Sequence, residues 1–196
     1  MTTKTKEPEI TLDAGHVYRV NGIVRPGVTS ILKDCGLIPD FANEEAMLRG
    51  KAVHRACELL DLGTLDWSSV RDEFMPYMTA YEEALEKYRL TPIPEFIERK
   101  VYHPYCLYAG TLDRVYRAVN GDLILTDIKT GTSIPDYAGE QTAAYKDALL
   151  ALGYQVADRA VLLLKPDGSP QLQYLTDPND EQIWMSCVNL YRRKHG

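Results

Sequence analysis

Residues 110–131 read GTLDRVYRAVNGDLILTDIKTG. Two apolar-rich runs, Thr111–Val119 and Leu123–Ile128, flank Asn120-Gly121-Asp122, and Asn-Gly between such runs is the strongest short-range signal for a β-hairpin. Side chains two apart on a strand share a face, so Asp127 and Lys129 point one way while Ile128 points into the sheet. A two-residue turn at Asn120-Gly121 sets Asp113 opposite Ile128 and sends Asp127 to the wrong face. A three-residue loop or a bulge at Asn120 or Asp122 brings the two aspartates together, and the chemistry below requires it.

Two carboxylates and a lysine on one face make a hard-oxygen cation site with a point charge beside it. Mg²⁺ suits such a place, because it takes one or two carboxylates, keeps several waters and accepts phosphate oxygens for the remainder. The bland reading of the same residues is a surface ion pair of Lys129 with Asp113 or Asp127. What weighs against it is the company these residues keep.

In chain order stand G-x-x-x-H-x-x-x-E (Gly50, His54, Glu58), G-T-L-D (Gly110 to Asp113), D-I-K-T-G (Asp127 to Gly131) and Q-x-x-x-Y (Gln141, Tyr145). Together they resemble the RecB-like exonuclease branch of the PD-(D/E)XK nuclease superfamily, from about Val28 to the strand near Leu164. Val28-Thr29-Ser30-Ile31-Leu32 resembles the opening segment of the phage and mitochondrial genome-maintenance exonucleases of that group. The resemblance implies an α/β fold with a restriction-endonuclease-like core, a mixed central sheet of about four or five strands flanked by helices. It implies hydrolysis of DNA phosphodiester bonds with Mg²⁺ or Mn²⁺, in the manner of an exonuclease preferring single-stranded DNA in replication, recombination or repair. Asp113, Asp127, the Ile128 carbonyl and His54 would hold the ion, and Lys129 would orient or activate the attacking water. Gln141 would touch metal-bound water or phosphate, Tyr145 the substrate strand, and Glu58 would support His54. Glu98, Gly50, Gly110 and Thr130 complete the expected surroundings.

Read without the resemblance, His54 is a half-buried histidine bonded to Glu58 one turn later, Tyr145 is core, and Glu98 is an exposed partner for Arg99 or Lys100. Two other classes stay open: an inactive nuclease fold that binds nucleic acid or protein, and a small-molecule hydrolase or transferase. A structure-specific endonuclease is a third alternative within the nuclease reading.

The chain has 196 residues, 45% of them hydrophobic, enough for one well-packed domain and short for two. We expect a flexible segment over 1–14 and a single nuclease domain over 15–196, with a helical arch at about 43–89. Lysine and arginine total 22 against 28 acidic residues, a net charge of −6. There is thus no global basic field to attract nucleic acid, and any DNA contact must be local. The four cysteines, Cys35, Cys57, Cys106 and Cys187, lack C-x-x-C spacing and read as reduced thiols of a cytoplasmic protein in a bacterium or phage-infected cell. Some RecB-like nucleases ligate an iron–sulfur cluster through one upstream cysteine and a C-terminal trio. Only Cys187 stands in the C-terminal segment, so no such cluster is expected. The N-terminus lacks the apolar core of a signal peptide, and no run is long enough to span a membrane.

Along the chain, Asn21-Gly22 marks a second hairpin, and Thr29 or Ser30 is a candidate cap for a short helix ending near Cys35. Asn43 is a candidate N-cap for a long helix through about Asp61, closed by Gly63, and a second amphipathic helix covers roughly Val70 to Arg89. Glu95 to His103 reads as the first strand of the central sheet. The aromatic turn Tyr102-His103-Pro104-Tyr105-Cys106-Leu107-Tyr108 could edge a DNA groove, a half-buried loop being the plainer reading. Asp136 opens a helix to about Leu152, Arg159 to Lys165 is a buried strand with Gln171 to Leu175 as its partner, and Asp177-Pro178 starts the last helix. Its basic end, Tyr191-Arg-Arg-Lys-His-Gly, can touch phosphates, although the helix dipole alone favours cations there.

Overall fold

A computed structural model describes residues 8–39 and 43–196. Among the described residues, ten strands and five α-helices follow in chain order: β1 (Ile10–Leu12), β2 (Tyr18–Val20), β3 (Ile23–Arg25), α1 (Val28–Asp34), α2 (Glu44–Asp61), α3 (Met75–Lys87), β4 (Thr91–Pro92), β5 (Arg99–His103), β6 (Tyr108–Leu112), β7 (Arg114–Arg117), β8 (Leu123–Thr130), α4 (Ala138–Ala151), β9 (Asp158–Leu164), β10 (Pro170–Tyr174) and α5 (Asn179–His195). The central sheet is mixed, ordered β10-β9-β8-β7-β4, with β8 and β9 parallel and every other pair antiparallel. Helix α4 makes the crossover from β8 to β9, the connection that a parallel pair demands.

The Asn-Gly hairpin forms with the longer loop. Arg117 pairs with Leu123, the Ala118 amide donates to the Asp122 carbonyl at 2.9 Å, and the Gly121 amide returns to Ala118 at 2.9 Å. Val119, Asn120 and Gly121 are therefore the loop, and Gly121 at φ 89° is the left-handed residue that closes it. One step beyond the Arg114–Thr126 pair, Asp113 comes beside Asp127. The second hairpin has the tighter turn, with positive φ at both Asn21 (50°) and Gly22 (81°), which matches the right-handed twist of its strands.

Helices cover both faces of the sheet. On one face α1, α4 and α5 pack Ile31, Leu32, Ala144, Ala148 and Trp184 against Val115 and Leu125. On the other, α2 and α3 pack Val53, Cys57, Met78 and Tyr81 against Tyr116, Ile124, Ile128 and Leu162. Alternation along β7 and β8 then settles where each polar side chain goes. Asp127 and Lys129 share the face of Leu125 and meet α4; Arg114 shares the face of Tyr116 and meets α2 and α3.

Several expectations need correction. Residues 1–7 lie outside the described residues, and Ile10–Leu12 of the segment expected to fray is a strand paired with β2. In the region 43–89, expected as a helical arch, the helices pack on the sheet and bury Val53, Cys57, Met78, Ala80, Tyr81 and Ala84. Its second helix begins at Met75, after a 3₁₀ turn over Asp72–Phe74. Strand β5 is not in the central sheet: among the described residues it pairs only with β6, because a 3₁₀ turn at Pro94–Phe96 and a left-handed Glu98 (φ 48°) swing it away. Asn43 caps α2 through its side chain, but α1 has Gly27 and α4 has Tyr137 at the N-cap, neither with a side-chain bond.

Two glycines of the expected motifs separate by steric need. A Cβ on Gly110, in β6, would stand 2.6 Å from Cε1 of Tyr145, whose ring is buried and cannot retreat. At Gly50, inside α2, the nearest atom is Thr130 Oγ1 at 3.9 Å, an ordinary contact. Gly110→Ala should therefore cost about 1–3 kcal/mol through overpacking, whereas Gly50→Ala should be neutral or gain up to about 1 kcal/mol of helix propensity. Urea unfolding of both variants checks this, and a Gly110→Ala midpoint equal to that of the parent would refute the packing account.

Candidate active site

The site sits where the hairpin changes partners. Asp113 lies between β6, which pairs with β5, and β7, which pairs with β8; its carbonyl accepts the Glu98 amide at 2.9 Å. That single residue ties both sheets together and leaves its carboxylate at the seam. Oδ2 of Asp113 accepts the Ile128 amide at 2.7 Å, and the Ile128 carbonyl accepts from His54 Nε2 at 2.8 Å. The Ile128 peptide is thus held from both sides, by Asp113 through its N–H and by α2 through its carbonyl.

Asp127, Lys129, Gln141 and Tyr145 form a line on the α4 side. Lys129 Nζ stands 2.7 Å from Asp127 Oδ2 and donates to Gln141 Oε1 at 3.0 Å, one turn from Tyr145 on α4. The Lys129–Asp127 approach compensates charge without the geometry of a hydrogen bond, so the fully buried Oδ2 of Asp127 lacks a hydrogen-bond donor. Burial pushes the Asp127 carboxyl up to about 6, with Asp113 adding to the rise while Lys129 opposes it. Burial disfavours the Lys129 ammonium, but Asp127 and Asp113 outweigh it and raise the pKa above the ordinary lysine value. Lys129 is therefore an ammonium in this arrangement.

His54 is the third arm. Its Nδ1 lies 3.6 Å from Asp113 Oδ1 and 3.8 Å from Glu98 Oε1, while Nε2 faces the Ile128 carbonyl. Burial opposes charge on the ring, yet Asp113 and Glu98 overcome it and hold the imidazole up to about 9. With both nitrogens aimed at oxygens, His54 is an imidazolium here. Glu98 itself is fixed by Arg114 Nη1 at 3.0 Å.

Sequence reasoning missed the support beneath this seam. Arg114 is fully buried; it also donates to Asp61 Oδ2 at 2.6 Å and to the Asp113 carbonyl at 2.6 Å. Asp61 in turn accepts from Tyr81 at 2.7 Å, whose hydroxyl meets that of Tyr116 at 2.8 Å. Alternation in R-V-Y-R was the available signal, since it places Arg114 and Tyr116 together on the face opposite Asp113. Tyr18, from the N-terminal hairpin, was missed as well; its hydroxyl meets Thr111 Oγ1 at 3.0 Å. Not every expected residue joins the cluster. Glu58 pairs with Arg55 at 2.6 Å instead of supporting His54, although both line a cavity of about 370 Å³ with Gly50, Lys51 and Glu98.

The donor set fits a small divalent cation. Asp113, Asp127 with its undonated buried oxygen, and the Ile128 carbonyl are hard oxygen donors, and a neutral His54 would add an imidazole nitrogen suited to Mn²⁺. The ligand atoms of His54, Glu98 and Asp113 lie within 4.8 Å of one another.

No family model matches the chain, and no curated protein matches it in sequence. Among solved structures, it is similar to a candidate exonuclease from Eubacterium rectale, with a TM-score of 0.53 and 11% identity over 84% of this chain and 71% of that one. The two share a fold. The crystal structure of SSO0001 superposes with a TM-score of 0.37 at 14% identity, covering 86% of this chain and 84% of that one, too loosely to argue from. No described helix is long and apolar enough to cross a membrane.

Ligation needs a neutral imidazole, so Mn²⁺ binding at pH 7 should expel close to one proton from His54, and affinity should rise with pH until about 9. In titration calorimetry the apparent enthalpy should vary with the ionisation enthalpy of the buffer. That dependence should largely vanish in His54→Ala; equal dependence in both proteins would remove His54 from the ligand set.

Proposed function

We propose that the protein is a metal-dependent deoxyribonuclease of the RecB-like PD-(D/E)XK type, acting as an exonuclease on single-stranded DNA. The observation that carries the reading is the meeting of Asp113, Asp127, Lys129, the Ile128 carbonyl and His54 at one seam, from three elements separated in sequence. The fold shared with a candidate exonuclease supports it.

A bound Mg²⁺ or Mn²⁺ would supply Lewis-acid stabilisation of charge developing on the phosphoryl oxygen. The chain's own residues do the rest. Asp113 and Asp127 would hold the cation, and the Lys129 ammonium would orient the attacking water and face the growing negative charge. Gln141 fixes the Lys129 ammonium from α4. His54 in its neutral form would join the ligands, and Tyr145, wedged against Gly110, forms the wall beneath. Activity should appear with Mg²⁺ or Mn²⁺, disappear with chelator and stay absent with Ca²⁺, whose longer, looser coordination misplaces the water. Full cleavage in chelator would end this reading. Lys129→Ala should lose about two to four orders of magnitude in turnover while keeping Mn²⁺ and DNA binding, and Asp127→Ala should lose Mn²⁺ affinity too. Undiminished affinity of Asp127→Ala in calorimetry would break the ligand assignment.

The preference for an unpaired end follows from charge. A net charge of −6 supports it, because a flexible strand needs only local contacts where a rigid duplex needs a broad basic face. A linear single strand should be degraded and a covalently closed circle of the same sequence should resist. Equal rates would make the enzyme an endonuclease.

A further inference from the structure

We propose that Tyr105, Arg192 and Arg193 form a second, non-catalytic contact surface for single-stranded nucleic acid at the far end of the β5–β6 hairpin. Tyr105 is 80% exposed, and the turn carrying it is rigid. His103, only 7% exposed, accepts at Nδ1 from the amides of Tyr105 and Cys106, at 3.3 and 3.0 Å. Its Nε2 meets Asp147 Oδ2 at 3.3 Å, and that oxygen accepts from Tyr108 at 3.0 Å. Nδ1 accepts, so Nε2 carries the proton. This tautomer also tells against a metal bound by His103, Cys106 and Asp147, which would need Nε2 unprotonated. The cluster is a clamp whose result is an aromatic ring held out in water, with little flexibility left to lose on binding.

The charge beside that ring is positive. In the last turn of α5, Lys194 and His195 are matched by Asp34 at 3.0 and 3.1 Å. Arg192 donates to the Tyr105 carbonyl at 2.8 Å, a contact that leaves its charge unmatched. Neither Arg192 nor Arg193 has a carboxylate partner among the described residues, and the nearby acids Asp34 and Asp147 are already engaged. The helix dipole would place cations here unaided, but it gives no reason for a rigid exposed tyrosine next to them. An aromatic face beside the Arg192 guanidinium, with the exposed Arg193 next to it in α5, matches a base and its flanking phosphates, and only an unpaired strand offers a base face for stacking. Five residues of β6 separate this turn from Asp113, about 17 Å of strand. The contact would thus hold the strand away from the point of cleavage, and it does not depend on the cleavage reading.

Fluorescence polarisation of a labelled oligothymidylate with the protein in chelator tests it, with a gel confirming that the oligomer stays whole. Tyr105→Ala should weaken binding about 5- to 20-fold and Tyr105→Phe should keep it, as loss of one stacked base predicts. Arg192→Gln with Arg193→Gln should lower the slope of log affinity against log salt by about 1.4. The melting temperature of each variant should match the parent's, and a duplex should show no loss with Tyr105→Ala. Unchanged affinity in Tyr105→Ala, or an unchanged salt slope in the double variant, would overturn the proposal; cleavage in chelator would count against the metal reading alone.

Discussion

The parity of one hairpin register governs everything at the seam. Because the loop holds three residues, Arg114 faces Thr126 and the even and odd positions of β7 and β8 fall on matching sides. One residue fewer would move Asp113 to the face of α2 and α3 and put Arg114 against α4. The acid would then meet Tyr81 and Asp61, and the guanidinium would meet Lys129. Gly121, with φ 89°, is the position at which that outcome is decided, since a side chain there would resist the left-handed conformation.

Around this register the protein balances an expensive set of buried charges. Asp127, Lys129, Arg114 and Asp61 all lose most of their water, and each is left with a partner of opposite sign: Lys129 with Asp127 at 2.7 Å and Arg114 with Asp61 at 2.6 Å. Removing one member of such a pair leaves the other stranded, which costs about 3–5 kcal/mol. The two pairs lie on opposite faces of the sheet and meet at Asp113, whose carbonyl takes the Arg114 guanidinium and whose carboxylate takes the Ile128 amide. Position at the site is thus bound to the stability of the core beneath it.

The sequence was legible where a local rule acts alone. Asn-Gly turns, the Asn43 cap, the α4 helix and the apolar β9 strand depend on residues near in the chain, and they appear with shifts of a few positions at their ends. The site pattern was legible too, since D-x-K and Q-x-x-x-Y encode a face of a strand and a face of a helix. What escaped was settled by long-range packing. Strand β5 alternates as a central strand would, yet the turn at Pro94–Phe96 and the left-handed Glu98 swing it out of the main sheet to pair with β6. Glu58 read as a partner of His54 at helical spacing, but an Arg55 at i−3 competed for it and held it at 2.6 Å. Tyr18 carries its hydroxyl to Thr111 from a distant segment with nothing local to mark it; the helical spacing of Tyr81 marks its ring as core but not the Asp61 and Tyr116 partners of its hydroxyl.

The charge on Lys129 depends on the same acids that the proposal gives to the cation. Burial alone would strip its proton, and it stays charged because Asp127 and Asp113 face it. Those same carboxylates are the ligands available to a divalent ion. If those carboxylates held a divalent ion, as proposed, their support for the ammonium would fall while its burial remained. Gln141 is an amide and not a second acid, and its Oε1 accepts from Lys129 at 3.0 Å. It keeps the amine aimed in either protonation state, because an amide oxygen accepts from an ammonium and an amide nitrogen can donate to a free amine. A carboxylate at position 141 would restore the charge and fix Lys129 as an ammonium permanently. A glutamine adds no charge of its own, so the aspartates beside Lys129 set its affinity for the proton.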